Sequence, residues 1–300
     1  MVISQTNPGF SDQRVVVVGV ARNCERTIKY DVLRLFESLR NCKTLSWVVV
    51  ESDSSDRTLD ALRTLEVDVP GFRFISLGSL HETIPIRTQR IAYCRNVYLE
   101  ELKSNLLYSE IDYFVVADLD GVNNLVSAEG FESCWARSGW DVCTANQRGP
   151  YYDIWALRHP IWNPNDCFQQ LEFLLAHKVP REAALWAATY SKMISIDETD
   201  DWIEVDSAFG GLAVYRRHVL VDAMYSGLDE AGGAMCEHVF LNNRIKSQGY
   251  RIFINPKLIN TAETEHSRQR TFSQYLKRRY FGLRHEAKIR LFSAMSTIGE

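Results

Sequence analysis

Runs of β-branched and aromatic residues constrain this chain more than any other feature. RVVVVGV at 14–20, SWVVV at 46–50 and YFVVA at 113–117 are apolar almost throughout, and each ends at polar or turn-forming residues. Runs this short and uniform predict strands buried on both faces, as in a parallel sheet. Between them, apolar residues recur at three- and four-residue spacing. Ile28, Val32, Leu35, Phe36 and Leu39 mark a helix over 27–41, and Ile91, Cys94, Tyr98 and Leu102 mark another over 87–102. In ESDSSDRTLDALRTL, 51–65, a Ser/Asp-rich turn precedes Leu59, Leu62 and Leu65, which predicts a capped helix. A further β unit is read at 72–77. This alternation predicts an α/β fold with a mostly parallel sheet flanked by helices.

The whole chain is compatible with that class. At 300 residues, with 46% hydrophobic and 24% charged, it can bury a large core without long disordered tracts. A net charge of −4 argues against nucleic acid as the main partner. The cysteines at 24, 42, 94, 134, 143, 167 and 236 form no CxxC pair and read as reduced thiols. The N-terminus carries no signal-peptide pattern, and no apolar run approaches the roughly 20 residues a membrane span needs. A cytoplasmic protein is expected, at most peripheral on a membrane.

Two carboxylates, Asp118 and Asp120, follow the third strand with one residue between them. In extended chain such residues share a face, and the carboxyl ends of parallel strands are where open α/β sheets bind ligands. Hard oxygen ligands of this kind suit Mg²⁺ or Mn²⁺, which use one or two carboxylates plus substrate phosphates. The first strand–helix turn, GVARNC, lacks the GxGxxG of dinucleotide sites, and no P-loop is present.

Other candidates surround this pair. Glu51, with Asp53 beside it, ends the second strand, where a carboxylate can accept from a base or a ribose hydroxyl; the same turn equally serves to cap the next helix. Arg90, Arg95 and Asn96 read as ordinary exposed helix positions or, just before the DxD strand, as groups where a cation can face a diphosphate. Tyr151, Tyr152, Trp155 and Trp162 crowd 149–166, as sugar-stacking faces or as core. Gly210 and Gly211 precede the apolar run LAVY, which predicts a close backbone approach or a bulge. Farther on, 239–245 reads as a helix with Gly249 past its end, then a strand at 250–254. A basic, aromatic stretch, 268–292, reads as core packing, as a lid, or as an amphipathic helix on an anionic membrane.

VVVESDSSDRT resembles the VVDDGSTDGT segment of family 2 glycosyltransferases, YCRN resembles their ARN stretch, and VADLDG is similar to their lDaDD metal motif, in the same order across 14–121. RTQRIAYCRN, DLDGVN, YYDIWALR and CEHVFL are similar to the fungal capsule-associated α-mannosyltransferase type. The resemblance implies a GT-A fold, a Rossmann-like sheet joined to an acceptor-binding part. It would comprise a flexible leader at 1–13, a glycosyltransferase domain at 14–266 (nucleotide-binding half 14–121, acceptor half 122–266) and a basic helical segment at 267–300. It implies a nucleotide-diphosphate sugar as donor and a glycan or lipid-linked sugar as acceptor. Asp118, Asp120 and His266 would hold Mn²⁺ or Mg²⁺; Glu51, Asp53, Arg95, Asp118, Gly210 and Gly211 would bind the donor. Glu237, in CEHVFL, takes the first acidic position of the family motif and is the expected acceptor of the hydroxyl proton, with Asp206 second; His238 stands where the family has Asp. The rival readings are a non-catalytic nucleotide- or sugar-binding protein and a sugar-phosphate nucleotidyltransferase, whose Gly-rich opening is missing.

Overall fold

Strands with no polar face must be covered on both sides, and this chain covers them with helices. The structure, a computed structural model, describes residues 9–220, 222–262 and 280. Its sheet has eight strands: β1 Arg14–Ala21, β2 Thr44–Glu51, β3 Phe74–Ser76, β4 Tyr113–Ala117, β5 Val142–Gln147, β6 Ile203–Val205, β7 Leu212–Arg216 and β8 Ile252–Thr261. They lie in the order β3-β2-β1-β4-β7-β5-β8-β6. β1 to β5 and β8 run in one direction, while β7 and β6 run against them. The α/β architecture with a mostly parallel sheet is therefore the one the strand pattern predicts.

Side-chain alternation divides the core into two layers. Val15, Val17, Trp47, Val49 and Val115 face α1 (Ile28–Leu39) and α2 (Thr58–Asp68), meeting Val32, Leu35, Leu62 and Leu65. Val16, Val18, Val48, Val50, Phe114 and Val116 face the other way, toward α3 (Arg87–Ser104) and α8 (Glu237–Ser247), and meet Tyr98, Leu99, Leu241 and Ile245. Fully burying one such aliphatic side chain stabilises the fold by roughly 1.5–3 kcal/mol, so the two layers together anchor the carboxyl ends of β1, β2 and β4. The remaining helices are α4 (Ala128–Glu132), α5 (Cys167–Ala176), α6 (Arg181–Ala188) and the single turn α7 (Arg217–Leu220).

The structure departs from the sequence reading in several places. Phe10, in the stretch expected as a loose leader, is buried against Trp135, their rings 4.9 Å apart. The helix expected over 131–140 is instead α4 followed by a 3₁₀ turn, Ser133–Ala136. The strand expected at 250–254 continues through Pro256 to Thr261. By its contacts the chain forms two units, Met1–Glu263 and Thr264–Glu300. No helix among the described residues is long and apolar enough to cross a membrane.

Candidate functional site

β4 ends at Ala117, and the next residues keep alternating. Leu119 is buried, Asp118 is half-buried and Asp120 is exposed. The backbone around the pair is held from three sides. Asp118 N–H donates to the Gly211 carbonyl at 2.9 Å, and Asn123 Nδ2 donates to the carbonyls of Asp118 (2.6 Å) and Gly211 (3.2 Å). Gly121 (φ +101°) turns the chain, and its N–H donates to Asp31 Oδ2 on α1 at 2.7 Å.

The close approach expected at Gly210–Gly211 is present, and both residues lie in the left-handed region. A Cβ on Gly210 would sit 2.7 Å from Gln147 Nε2, and one on Gly211 2.8 Å from Val122 Cγ2 and 3.0 Å from the Tyr152 hydroxyl. Gly210 N–H donates to Asp153 Oδ2 at 2.9 Å. The diglycine thus ties Asp153 to the backbone of Asp118.

Arg95 lies beneath the carboxylates and is only 2% exposed. Its Nη2 donates to Asp118 Oδ1 and its Nε to Glu237 Oε1, both at 3.0 Å. The guanidinium sits over the rings of Phe209 (5.4 Å) and Tyr225 (5.7 Å), and the Tyr98 hydroxyl donates to that of Tyr225 at 3.0 Å. Burial works against the guanidinium's charge, but Tyr98, Glu237 and Asp118 more than offset it, so its pKa stands well above the ordinary value. Arg95 therefore stays a cation. Burial pushes the Asp118 carboxyl up to about 7; Arg95 opposes the shift, while Asp120, Glu237 and Asp153 add to it. Among the described residues, Arg95 is the cation bonded to Asp118.

Glu237 opens α8, with His238 next to it stacked on Phe209 at 3.6 Å. Burial, helped by Arg95, holds the imidazole well below its ordinary pKa and therefore neutral. Neither of its ring nitrogens has a hydrogen-bond partner among the described residues. Asp206 is not brought to this site. Residues 206–209 run along α8 from its end to its start: Asp206 pairs with Lys246 at 3.8 Å, Ser207 and Ala208 meet Asn242, and Phe209 meets His238. At 1.5 Å rise per residue, Lys246 lies roughly 13 Å along the helix from Glu237, which separates Asp206 from the role expected for it.

Glu51 and Asp53 serve the loop at the end of β2. Glu51 is 1% exposed; Oε1 accepts from Ser54 N–H (3.0 Å) and Oε2 from the Ser76 hydroxyl (2.6 Å). A direct contact with a base or ribose, as expected, finds its carboxylate buried. Asp53 Oδ1 accepts from Leu80 N–H, His81 N–H and His81 Nδ1, and Oδ2 lies 3.4 Å from Arg90 Nε. Burial works to raise this carboxyl, yet His81, Leu80 and Arg90 hold it down at about 2. His266 and the basic segment lie outside the described residues. Among the described residues no group of three or more His, Cys, Asp or Glu side chains is placed to hold a metal ion.

Sequence reasoning passed over Asp31, Asp153 and Tyr225. Asp31 sits four residues after Thr27 on a helix whose periodicity says only that one face is buried. Asp153 was visible only as a carboxylate inside an aromatic stretch. Of those aromatics, Tyr151 is core against Trp162 (5.5 Å), and Trp155 packs on Phe168 (5.0 Å).

No protein-family model matches the chain, and no curated protein matches it in sequence. Among solved structures it is similar to a mannosyltransferase, PcManGT from Pyrobaculum calidifontis, in complex with GDP-Man and Mn²⁺. The identity is 15%, the TM-score 0.47, and the match covers 91% of this chain and 63% of that one. It is also similar to glucosyl-3-phosphoglycerate synthase from Mycobacterium tuberculosis in complex with UDP (14% identity, TM-score 0.42, covering 92% and 79%). A third is TarS 1–349 of S. aureus in complex with UDP-GlcNAc (15% identity, TM-score 0.47, covering 85% and 60%). The chain spans less than two thirds of the length of the first of these.

Proposed function

We propose that the protein is a nucleotide-sugar-dependent glycosyltransferase of the GT-A type. It would move a hexosyl group, mannosyl among the candidates, from a nucleoside diphosphate to a hydroxyl of a glycan or lipid-linked acceptor. The observation that carries this reading is the Asp118/Asp120 pair at the carboxyl end of β4, with Asp118 held by Arg95 and by the Gly211 carbonyl. The donor set fits a hard divalent cation, Mn²⁺ or Mg²⁺, since such ions take one or two carboxylates and leave positions for phosphate oxygens. When bound, the cation supplies positive charge to a departing diphosphate.

The chain's own residues prepare that site. Asp118 is oriented by Arg95, and Asp120 by the Gly121 turn that Asp31 holds. Gly210 and Gly211 let the backbone approach where any side chain would collide with Gln147, Val122 or Tyr152. Of the two carboxylates expected to take the hydroxyl proton, only Glu237 borders the cation site. A cytoplasmic enzyme in peripheral contact with anionic lipid through 267–300 completes the proposal.

The test is thermal denaturation with UDP or GDP, with and without Mn²⁺, followed by assay of nucleotide-sugar turnover. Stabilisation that needs both nucleotide and Mn²⁺, together with release of nucleoside diphosphate, supports the reading. Binding without turnover would favour a binding protein on the same fold, and pyrophosphate release from a nucleoside triphosphate would favour a nucleotidyltransferase.

A further inference from the structure

Resting on that reading, we infer that Glu237 is a positioning residue: it acts through Arg95 to aim the carboxylate of Asp118 at the cation site, instead of taking the acceptor's proton. The argument starts from the shape of the guanidinium. Its nitrogens lie in one rigid plane, so the Glu237 contact at Nε sets the direction of Nη2, which meets Asp118 Oδ1 at the same 3.0 Å. The plane has no room to swing, with Phe209 and Tyr225 near it and Tyr98 Oη 3.5 Å from Nη1.

Glu237 itself is held. It occupies the first turn of an eleven-residue helix, whose dipole favours a carboxylate there. The neighbouring His238 ring lies flat on Phe209 at 3.6 Å, with Tyr225 edge-on at 5.7 Å. The three charged groups come from α3, the end of β4 and the start of α8, with Arg95 and Glu237 142 residues apart in the chain. A proton acceptor must be within hydrogen-bond reach of the substrate hydroxyl. Glu237 is 7% exposed and one of its oxygens is already bonded to Arg95.

The experiment measures Mn²⁺ binding to the full chain from the electron paramagnetic resonance signal of free Mn²⁺, alone and with UDP or GDP, so that no turnover is needed. Glu237→Ala should weaken Mn²⁺ binding roughly 10- to 100-fold, as loss of a residue orienting a metal ligand does. Glu237→Gln, which still offers Nε an acceptor, should keep most of the affinity. Arg95→Lys keeps the charge but loses the fork, and should behave like Glu237→Ala; it carries the test if Glu237→Ala unfolds. Melting temperatures report folding separately, and Asp120→Asn serves as the reference for loss of the site. Two results overturn the inference while sparing the cation site: Glu237→Ala binding Mn²⁺ like the wild type when Asp120→Asn does not, or Glu237→Gln losing roughly 10²–10⁴-fold in kcat at saturating Mn²⁺, as removal of a general base would. Normal Mn²⁺ binding by Asp120→Asn would instead remove the cation site, and the inference with it.

Discussion

β2 and β4 both end in an acid, any residue, then an acid: Glu51-Ser52-Asp53 and Asp118-Leu119-Asp120. Both strands belong to the parallel half of the sheet and point the same way. The fold nevertheless gives the two pairs opposite surroundings. At β2, donors converge: Ser54 and Ser76 on Glu51; Leu80, His81 and Arg90 on Asp53. There the Asp53 carboxyl is held at about 2. At β4, Asp118 has one cation among the described residues, Arg95, which it shares with Glu237, and burial pushes its carboxyl up to about 7. A carboxylate ringed by donors of its own loop holds that loop; one raised by burial and by a neighbouring carboxylate gains from an added cation.

The largest expected effect tests the second half of that contrast. Asp120→Asn should leave the protein folded yet abolish Mn²⁺-dependent nucleotide binding, and it should lower kcat/KM on the order of 10³-fold, several kcal/mol of charge stabilisation. Full turnover in excess EDTA would break the comparison at once.

The first half has its own signature in acid. The folded pKa of Asp53, about 2, lies below its ordinary 3.8. Its contribution is therefore complete above about pH 4 and is lost as pH falls through 2, amounting to about 2 kcal/mol. Asp53→Asn should flatten that part of the stability profile, as measured by urea denaturation across pH 2–5. An unchanged acid limb would mean that His81 and Arg90 do not compensate this carboxylate.

A smaller effect is expected at Asp31, fully buried on α1, with Oδ2 on Gly121 N–H and Oδ1 without a partner among the described residues. Asp31→Ala frees the turn that carries Asp120, and should weaken Mn²⁺ binding about tenfold. Asp31→Asn retains an acceptor for Gly121 and should lose less. Equal losses in both variants, read by Mn²⁺ titration, would point to general destabilisation instead.

The smallest effect belongs to Glu51. Because its oxygens already accept from Ser54 and Ser76, Glu51→Gln should change nucleotide affinity by under about 1 kcal/mol, below the 1.5–3 of a lost hydrogen bond to a charged group. A larger loss by calorimetry would show that this carboxylate reaches the ligand after all.

Local signals in the sequence were sufficient for β1, β2, β4 and the helices α1, α2 and α3. A continuous apolar run and a three-four periodicity each report burial within one segment, and burial decides which of these elements form. The same signals placed Asp118 and Asp120 at a strand's end, and Gly210–Gly211 where the backbone comes close. Other features depend on which distant segments meet. The insertion of β7 between β4 and β5, antiparallel to both, leaves no mark in LAVY, because an apolar strand reads the same in either direction. Residues 206–209 run antiparallel to α8, and that alone takes Asp206 away from the site. Arg95 read as an exposed helix position or a cation facing a diphosphate, and Glu237 as the acceptor of a hydroxyl proton; neither reading shows the partners, 23 and 142 residues from Arg95, that close on its guanidinium. Residue type and spacing determined where carboxylates could gather; only the tertiary structure decided which of them are already neutralised, because an ion pair depends on distance in space and not on separation along the chain.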